Sequence, residues 1–321
     1  MGRIVRIFIW VIIAMAVVLG GFRMAAHLRE VDVAAELAPD DGRLVATDLG
    51  DIFAIERGAA DAPPVLLIHG SVGWSGSWRH SLDVLDASGY RGVAIDLPPM
   101  GFSDRDGEGE YGRAASAERI LAFIRADEMR PHLVAHSFGA GAAVEAVMRA
   151  PDAFASLTII NGALPLDPDG TAALPVPLRA LLLRVVAISA TVTNPLASRR
   201  LLQAFLFRKD TASDAVLEVL GRPSTLEGAT EALAIWMPTL LVPPGYLPST
   251  QSEAFAALDL PVALIWGAED TTTPLDQGQN LARLIPGASL IVLPDVGHIP
   301  MIEDPAAFDA ALLEALGAVA P

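Results

Sequence analysis

The 321-residue chain contains no cysteine. Thiolate nucleophiles, cysteine-ligated zinc, iron–sulfur centres and disulfides are therefore excluded, and the redox compartment stays open. Lysine is nearly absent as well. Lys209 is the only one, which leaves Schiff-base chemistry and Ser-Lys dyads a single candidate, in a segment that reads as peripheral. Cations are scarce overall, with 22 Lys+Arg against 38 Asp+Glu and a net charge of −16. Nucleic-acid affinity rests on cations that neutralise phosphates, so this balance argues against a nucleic-acid partner. A general base working near neutral pH is drawn most simply from the histidines, His27, His69, His80, His132, His136 and His298. What the chain does have is apolar residues, 52% of the total, enough to bury a large core.

The first thirty residues read as a segment apart from the folded body. Ile7 to Phe22 is an uncharged apolar run with Arg3 and Arg6 before it and Arg23 and Arg29 after it. As a helix it measures about 24 Å, short of a hydrocarbon core of about 30 Å, but neighbouring apolar residues and extended arginine side chains can complete a span. Three readings stand, in order of preference: an uncleaved membrane anchor, a signal peptide whose cleavage site at Met24-Ala25-Ala26 is poor, and a buried core helix. Arg3, Arg6 and the amino terminus favour a cytoplasmic start, which places the rest of the chain outside the cytoplasm; Arg23 and Arg29 oppose that bias.

From Arg43 onward short apolar runs alternate with helix-length segments. Arg43–Leu49 and Ile52–Arg57 read as an antiparallel hairpin across Gly50 and Asp51, followed by strands at Val65–His69, Val93–Asp96, Leu133–His136, Leu157–Asn161, Val262–Trp266 and Ser289–Leu293. Runs this continuously apolar fit strands covered on both faces, so the spacing predicts an α/β fold with a mostly parallel, doubly wound sheet. The stretch between Asn161 and Val262 is too long for a bare loop and reads as a helical insertion, with helices over Leu178–Ala190 and Thr211–Leu220. The expected segments are 1–30 (anchor or signal), 31–163 (core, first part), 164–257 (insertion) and 258–321 (core, second part).

Sites in open parallel sheets gather at the carboxyl ends of the strands. The run Leu133-Val134-Ala135-His136-Ser137-Phe138-Gly139 leads an apolar strand into a Gly/Ala-rich helix start. A serine on such a junction needs small residues two positions to either side, because strand and helix nearly touch, and Ala135 and Gly139 meet that need. Ser137 would then stand clear of the sheet as a nucleophile. As a plainer alternative it simply caps the helix. Gly139-x-Gly141 is half of a dinucleotide fingerprint, but Val144 takes the place of its third glycine.

Two later strand ends complete a set. Trp266-Gly267-Ala268-Glu269-Asp270 offers Asp270 as a carboxylate to orient a histidine, with Glu269 in reserve. Pro294-Asp295-Val296-Gly297-His298 offers His298, which Gly297 would allow to turn inward. The chain order Ser, Asp, His is the one used for catalytic triads on this type of sheet. The loop His69-Gly70-Ser71-Val72-Gly73 follows the first parallel strand, and its Ser71 N–H, or less favourably that of Val72, can pair with the Phe138 N–H as an oxyanion hole. His69 reads as a brace for this loop, and His80, His132, His136 and His27 as structural or bystander residues.

These motifs, together with Asp96-Leu97-Pro98-Pro99-Met100-Gly101-Phe102-Ser103-Asp104, resemble the α/β-hydrolase superfamily over residues 43–160 and 255–318. The resemblance implies Ser137 as nucleophile, His298 as base, Asp270 as the acidic member, a variable helical lid in the insertion, and neither a metal nor an organic cofactor. Ala135 replaces the first glycine of the usual Gly-x-Ser-x-Gly, a mild change. Serine at position 137 argues against the haloalkane dehalogenase and epoxide hydrolase relatives, which use aspartate there. The relatives that hydrolyse carbon–carbon bonds in ring-fission products generally have a more glycine-rich oxyanion loop and a tryptophan after the histidine; Ser71-Val72-Gly73 and Ile299 disfavour that subgroup.

The expectation is a serine hydrolase that cleaves a carboxylic ester or related acyl substrate through an acyl-enzyme, with carbon–carbon hydrolysis or a non-turnover ligand receptor as alternatives. Trp74, Trp78 and Ile299 are the expected substrate contacts. Leu181, Leu182, Val185, Val186, Phe205, Phe207, Trp236, Met237 and Leu240 are expected mostly in the lid core, with a minority lining an apolar acyl pocket, so a lipophilic substrate is favoured. Leu178–Ala190 reads as a buried lid helix ahead of one resting on a membrane. The acidic stretch Asp104–Glu110 lacks the glycine spacing of a calcium-binding EF-hand loop and reads as a solvated loop.

Overall fold

The structure is a computed structural model that describes residues 2–318. Residue 1 of the expected anchor and residues 319–321 of the expected second core segment lie outside the described residues. Eight strands form one sheet: β1 (Gly42–Val45), β2 (Ile52–Arg57), β3 (Pro64–Ile68), β4 (Arg91–Ile95), β5 (His132–His136), β6 (Ser156–Ile160), β7 (Val262–Gly267) and β8 (Ser289–Leu293), in spatial order β1-β2-β4-β3-β5-β6-β7-β8. β1 and β2 run antiparallel to their neighbours, and every pairing from β4 to β8 is parallel. The expected doubly wound sheet is the one observed. Its first strand is shorter than expected, because the Thr47 hydroxyl donates to the Gly50 carbonyl and accepts from the Leu49 N–H, folding those residues into a turn.

The helices are α1 (Arg3–Arg29), α2 (Ala34–Leu37), α3 (Arg79–Ala87), α4 (Arg113–Ala126), α5 (Phe138–Arg149), α6 (Leu181–Ala190), α7 (Pro195–Phe205), α8 (Asp214–Gly221), α9 (Ala229–Leu241), α10 (Ser252–Ala256), α11 (Leu275–Leu284), α12 (Pro300–Glu303) and α13 (Pro305–Ala318). Alternate side chains of the strands enter two cores. On one face Leu66, Leu133, Leu157 and Leu264 pack against α4, α5 and α11. On the other, Val65, Leu67, Val134 and Ile265 pack against α3 and α13. Burial on both faces explains why the strands read as unbroken apolar runs.

Register fixes the working edge. Ile68 pairs with Ala135, His136 with Ile160, Ile160 with Ile265, and Gly267 with Leu293. The loops leaving β3, β5, β6, β7 and β8 therefore emerge side by side.

Helices α6 to α10 lie between β6 and β7, as the length of that stretch demanded. The first begins at Leu181 instead of Leu178, because Pro175 and Pro177 favour a tight turn over Val176–Arg179. The next expected helix begins at Asp214, where the Ser213 side chain accepts from the Val216 N–H. Val185 and Ile188 of α6 pack with Leu233, Ala234 and Trp236 of α9, and Leu202 and Leu206 pack with Ala212.

Contacts cross the boundary expected at residue 30. The Arg29 guanidinium donates to the Thr193 carbonyl at 2.8 Å, the buried Glu30 carboxylate accepts from the Thr230 hydroxyl and N–H, and Asp32 pairs by its backbone with Thr225 and Glu227. The end of α1 is thus joined to the insertion, while residues 2–18 are exposed.

Candidate active site

Ser137 sits on the turn from β5 to α5 with φ 52° and ψ −122°, a backbone conformation that L-residues rarely adopt. Its N–H donates to the Ile160 carbonyl, and its own carbonyl accepts from Ala140 and Ala163, so the turn is held on both sides. Gly139 is required here: a methyl group on it would fall 2.2 Å from the His69 carbonyl oxygen. At the other flanking position Ala135 is fully buried in the core without displacing the turn.

His298 and Asp270 meet this serine. His298 Nε2 lies 2.8 Å from Ser137 Oγ, and His298 Nδ1 lies 2.8 Å from Asp270 Oδ2. A carboxylate beside Nδ1 keeps the proton there, which leaves the Nε2 lone pair facing the serine hydroxyl. All three side chains are buried. Burial alone would raise the Asp270 pKa, but the hydrogen bond and charge of His298, with bonds from Asn161 and Thr273, hold it below the usual carboxylate range. Its second oxygen accepts the N–H groups of Thr272 and Thr273 at 2.7 and 3.0 Å. Glu269, the reserve carboxylate, is exposed instead.

The loop after β3 lies against the serine. A methyl group on Gly70 would meet Ser137 Cβ at 3.0 Å and His136 Nδ1 at 2.6 Å. His69 braces this loop, accepting the Leu97 N–H at Nε2 and donating from Nδ1 to the Gly70 carbonyl at 2.8 Å. Burial pushes His69 down to about 4, so it stays neutral. Among the described residues, the N–H groups of Ser71 and Phe138 have no hydrogen-bond partner, and Phe138 opens α5, where the helix dipole favours negative charge. His136 donates from Nε2 to the His298 carbonyl at 2.8 Å; burial and the adjacent His298 push it down to about 3.

The structure corrects two expected substrate contacts. Trp74 and Trp78 are 2% and 1% exposed and belong to the core. Trp74 donates to the Val219 carbonyl and meets the Phe102 ring edge-on at 5.2 Å, while Trp78 packs on Phe308. Both rings face inward, Trp74 covered by α8 of the insertion and Trp78 by α13. Ile299 is half-buried against the insertion's Leu202–Leu206 cluster, directly after His298. Of the expected lid-core residues, Val185 and Trp236 are buried, whereas Leu181, Leu182, Phe207 and Leu240 are exposed.

Three further residues organise the edge. Asn161, fully buried at the end of β6 with φ 45°, donates to Asp270 Oδ2 and to the Gly297 carbonyl. The Thr273 hydroxyl lies 2.7 Å from Asp270 Oδ2. Glu303 accepts the N–H groups of Gly297 and Ile299 on one oxygen and those of Phe207 and Arg208 on the other, tying the histidine loop to the insertion. Only Asn161 left a sequence signal, a polar side chain closing an apolar strand.

A cavity of about 250 Å³ lies beside Phe138 and is lined by Gly112, Arg113, Ala142, Pro238, Thr239, Val242 and Pro244. Its walls are mostly apolar. Its one cation, Arg113, donates to the carbonyls of Ser249 and Ala163. Among the described residues no group of histidines and carboxylates is arranged to hold a metal ion.

A parallel sheet whose adjoining strand ends carry a strained serine, a histidine and a carboxylate in hydrogen-bonded series marks the chain as a hydrolase. It belongs to the α/β hydrolase fold family, whose model matches residues 63–305. The 2-hydroxymuconate semialdehyde hydrolase of Pseudomonas sp. (strain CF600) is 28% identical over 250 residues, covering 76% of this chain and 83% of that one. Among solved structures, a membrane phospholipase A described as a bacterial virulence factor aligns with a TM-score of 0.68 at 22% identity over 98% of both chains. The meta-cleavage product hydrolase of Pseudomonas fluorescens IP01 aligns with a TM-score of 0.70 at 22% identity, over 87% of this chain and 98% of that one.

Proposed function

We propose that the protein is a serine hydrolase of lipophilic carboxylic esters, held at a membrane by α1. The observation that carries this reading is the series Ser137 Oγ, His298, Asp270, with 2.8 Å at each step. His298 Nε2 takes the serine proton as Oγ attacks the acyl carbonyl, and Asp270 stabilises the imidazolium that forms. The N–H groups of Ser71 and Phe138 receive the oxyanion. The protonated His298 then gives its proton to the leaving alkoxide. Water, activated by the same imidazole, releases the acyl group from Ser137. The helices between β6 and β7 act as the lid.

The apolar cavity beside Phe138 supports an acyl chain as the bound group. The second reading, carbon–carbon hydrolysis of a ring-fission product, draws support from the curated relatives that carry that activity. The cavity argues against it. Those relatives include hydrolases of dicarboxylates, and Arg113 is already engaged with backbone carbonyls. Because contacts cross residue 30, the test uses the full chain in detergent. Chromogenic octanoate and acetate esters and a ring-fission dienoate are compared by kcat/KM, with burst kinetics as the mark of an acyl-enzyme. Preference for octanoate with a burst is expected; faster turnover of the dienoate would replace the ester reading.

A further inference from the structure

The lower part of α1 is not free. Along it Leu19, Phe22, Arg23, Ala26 and Glu30 are at least partly buried, a spacing of three and four that marks one helical face. That stripe is about 16 Å long, and α6, which packs beside α1, has ten residues and so measures about 15 Å. The bond from Arg29 to Thr193 sets the ends of the two helices at one level. The opposite end of α6, with Leu182 and Leu183 at 71% and 44% exposure, therefore reaches back along the apolar part of α1.

Helix α9 brings more apolar surface to the same place. Thr193 meets Thr230, and Arg184 donates to the Ala234 carbonyl, so α9 runs antiparallel to α6. Its last residues, Leu240 and Leu241, consequently lie at the Leu182 end and are 46% and 45% exposed. Val176, 72% exposed, precedes α6 there. The cavity beside Phe138 is walled by Pro238, Thr239 and Val242 of this end.

Length then selects the occupant. The wholly exposed, uncharged part of α1, from Ile7 to Val18, measures about 18 Å, roughly 12 Å less than a hydrocarbon core. A bilayer that accommodates the helix must reach down to the part packed on α6. We propose that the apolar end of the insertion, formed by Val176, Leu182, Leu183, Leu240 and Leu241, docks on the lipid bilayer that holds α1, so that the cavity beside Phe138 fills from the membrane. This rests on reading α1 as a retained anchor.

The absence of native cysteine makes single-site labelling clean. Leu182→Cys and Leu241→Cys, each carrying a fluorophore, are reconstituted as full chains in phosphatidylethanolamine–phosphatidylglycerol vesicles containing spin-labelled lipid. Ile12→Cys reports on the anchor, and Ser88→Cys, on the exposed end of α3 before β4, serves as the remote control. Quenching at 182 and 241 as well as 12, with none at 88, is expected. Quenching at 12 alone overturns the docking face while keeping the anchor, and no quenching at 12 removes the anchor reading itself. Self-association through 182 or 241 without quenching identifies a second copy as the occupant and overturns the proposal. As a functional arm, Val176→Asp combined with Leu241→Asp should lower the ratio of vesicle-ester to water-soluble-ester turnover by about tenfold; an unchanged ratio overturns it.

Discussion

The sheet edge and the insertion above it are held together by different forces. At the edge, buried polar groups are matched one to another: Asp270 accepts from Asn161, Thr272, Thr273 and His298, and Glu303 takes four backbone N–H groups. In the insertion, helices meet mainly through Val185, Ile188, Leu233 and Trp236, and many leucines remain in the open. Directional bonds fix atoms to fractions of an ångström, whereas apolar packing fixes shape and tolerates movement. The edge is thus suited to chemistry and the insertion to access.

That contrast breaks most visibly at Asp270. Asp270→Asn should lower kcat by about 10⁴-fold with little change in KM, because the amide supports the wrong histidine tautomer. Asn161→Ala, which loosens the same carboxylate, should lower kcat by about 10²-fold. Steady-state kinetics on a chromogenic ester read both, and a loss confined to KM would place these residues outside the chemistry.

Trp236→Ala tests the other side. The indole meets Phe138 edge-on at 5.3 Å in the insertion core, so its loss should raise KM for the octanoate ester by roughly fivefold while kcat stays within about twofold. A kcat collapse equal to that of Asp270→Asn would erase the division between the two regions.

The smallest expected effect is on stability in mild acid. His69 and His136 are held at about 4 and about 3 in the folded protein, below the ordinary 6.5. As pH falls through 6.5 the unfolded chain gains protons that the folded chain refuses, so their contribution is present above that value and lost below it. Asp96 works in the opposite direction: burial raises it to about 6, so between there and the ordinary 3.8 the folded state binds a proton that the unfolded chain does not, and stability is gained as pH falls. From about pH 6 to about pH 4 two losses stand against one gain, a net fall of about 1.4 kcal/mol per pH unit. Urea midpoints across that range measure it; a rise in stability would contradict these assignments.

The edge was far more legible in the sequence than its supports. Small residues flanking Ser137, a carboxylate after β7 and Gly297-His298 after β8 are local patterns with local causes. Asn161 reaches Asp270 and Gly297, and Glu303 reaches Phe207 and Arg208, only across the fold, while Thr273, three residues after Asp270, reads as an ordinary turn residue. Trp74 and Trp78 were misplaced because a tryptophan near a loop looks alike whether it lines a cleft or fills a core. Likewise, apolar residues of α1 that stay exposed and those that meet α6 share one composition, so the joint between the N-terminal helix and the insertion emerged only from the three-dimensional structure.

The central claim is that Ser137 is the nucleophile. A fluorophosphonate probe applied to the full chain, followed by peptide mass mapping, tests it directly. A single adduct on Ser137, absent from Ser137→Ala and slowed by Asp270→Asn, is the expected result, whereas labelling that persists unchanged in Ser137→Ala would contradict the account.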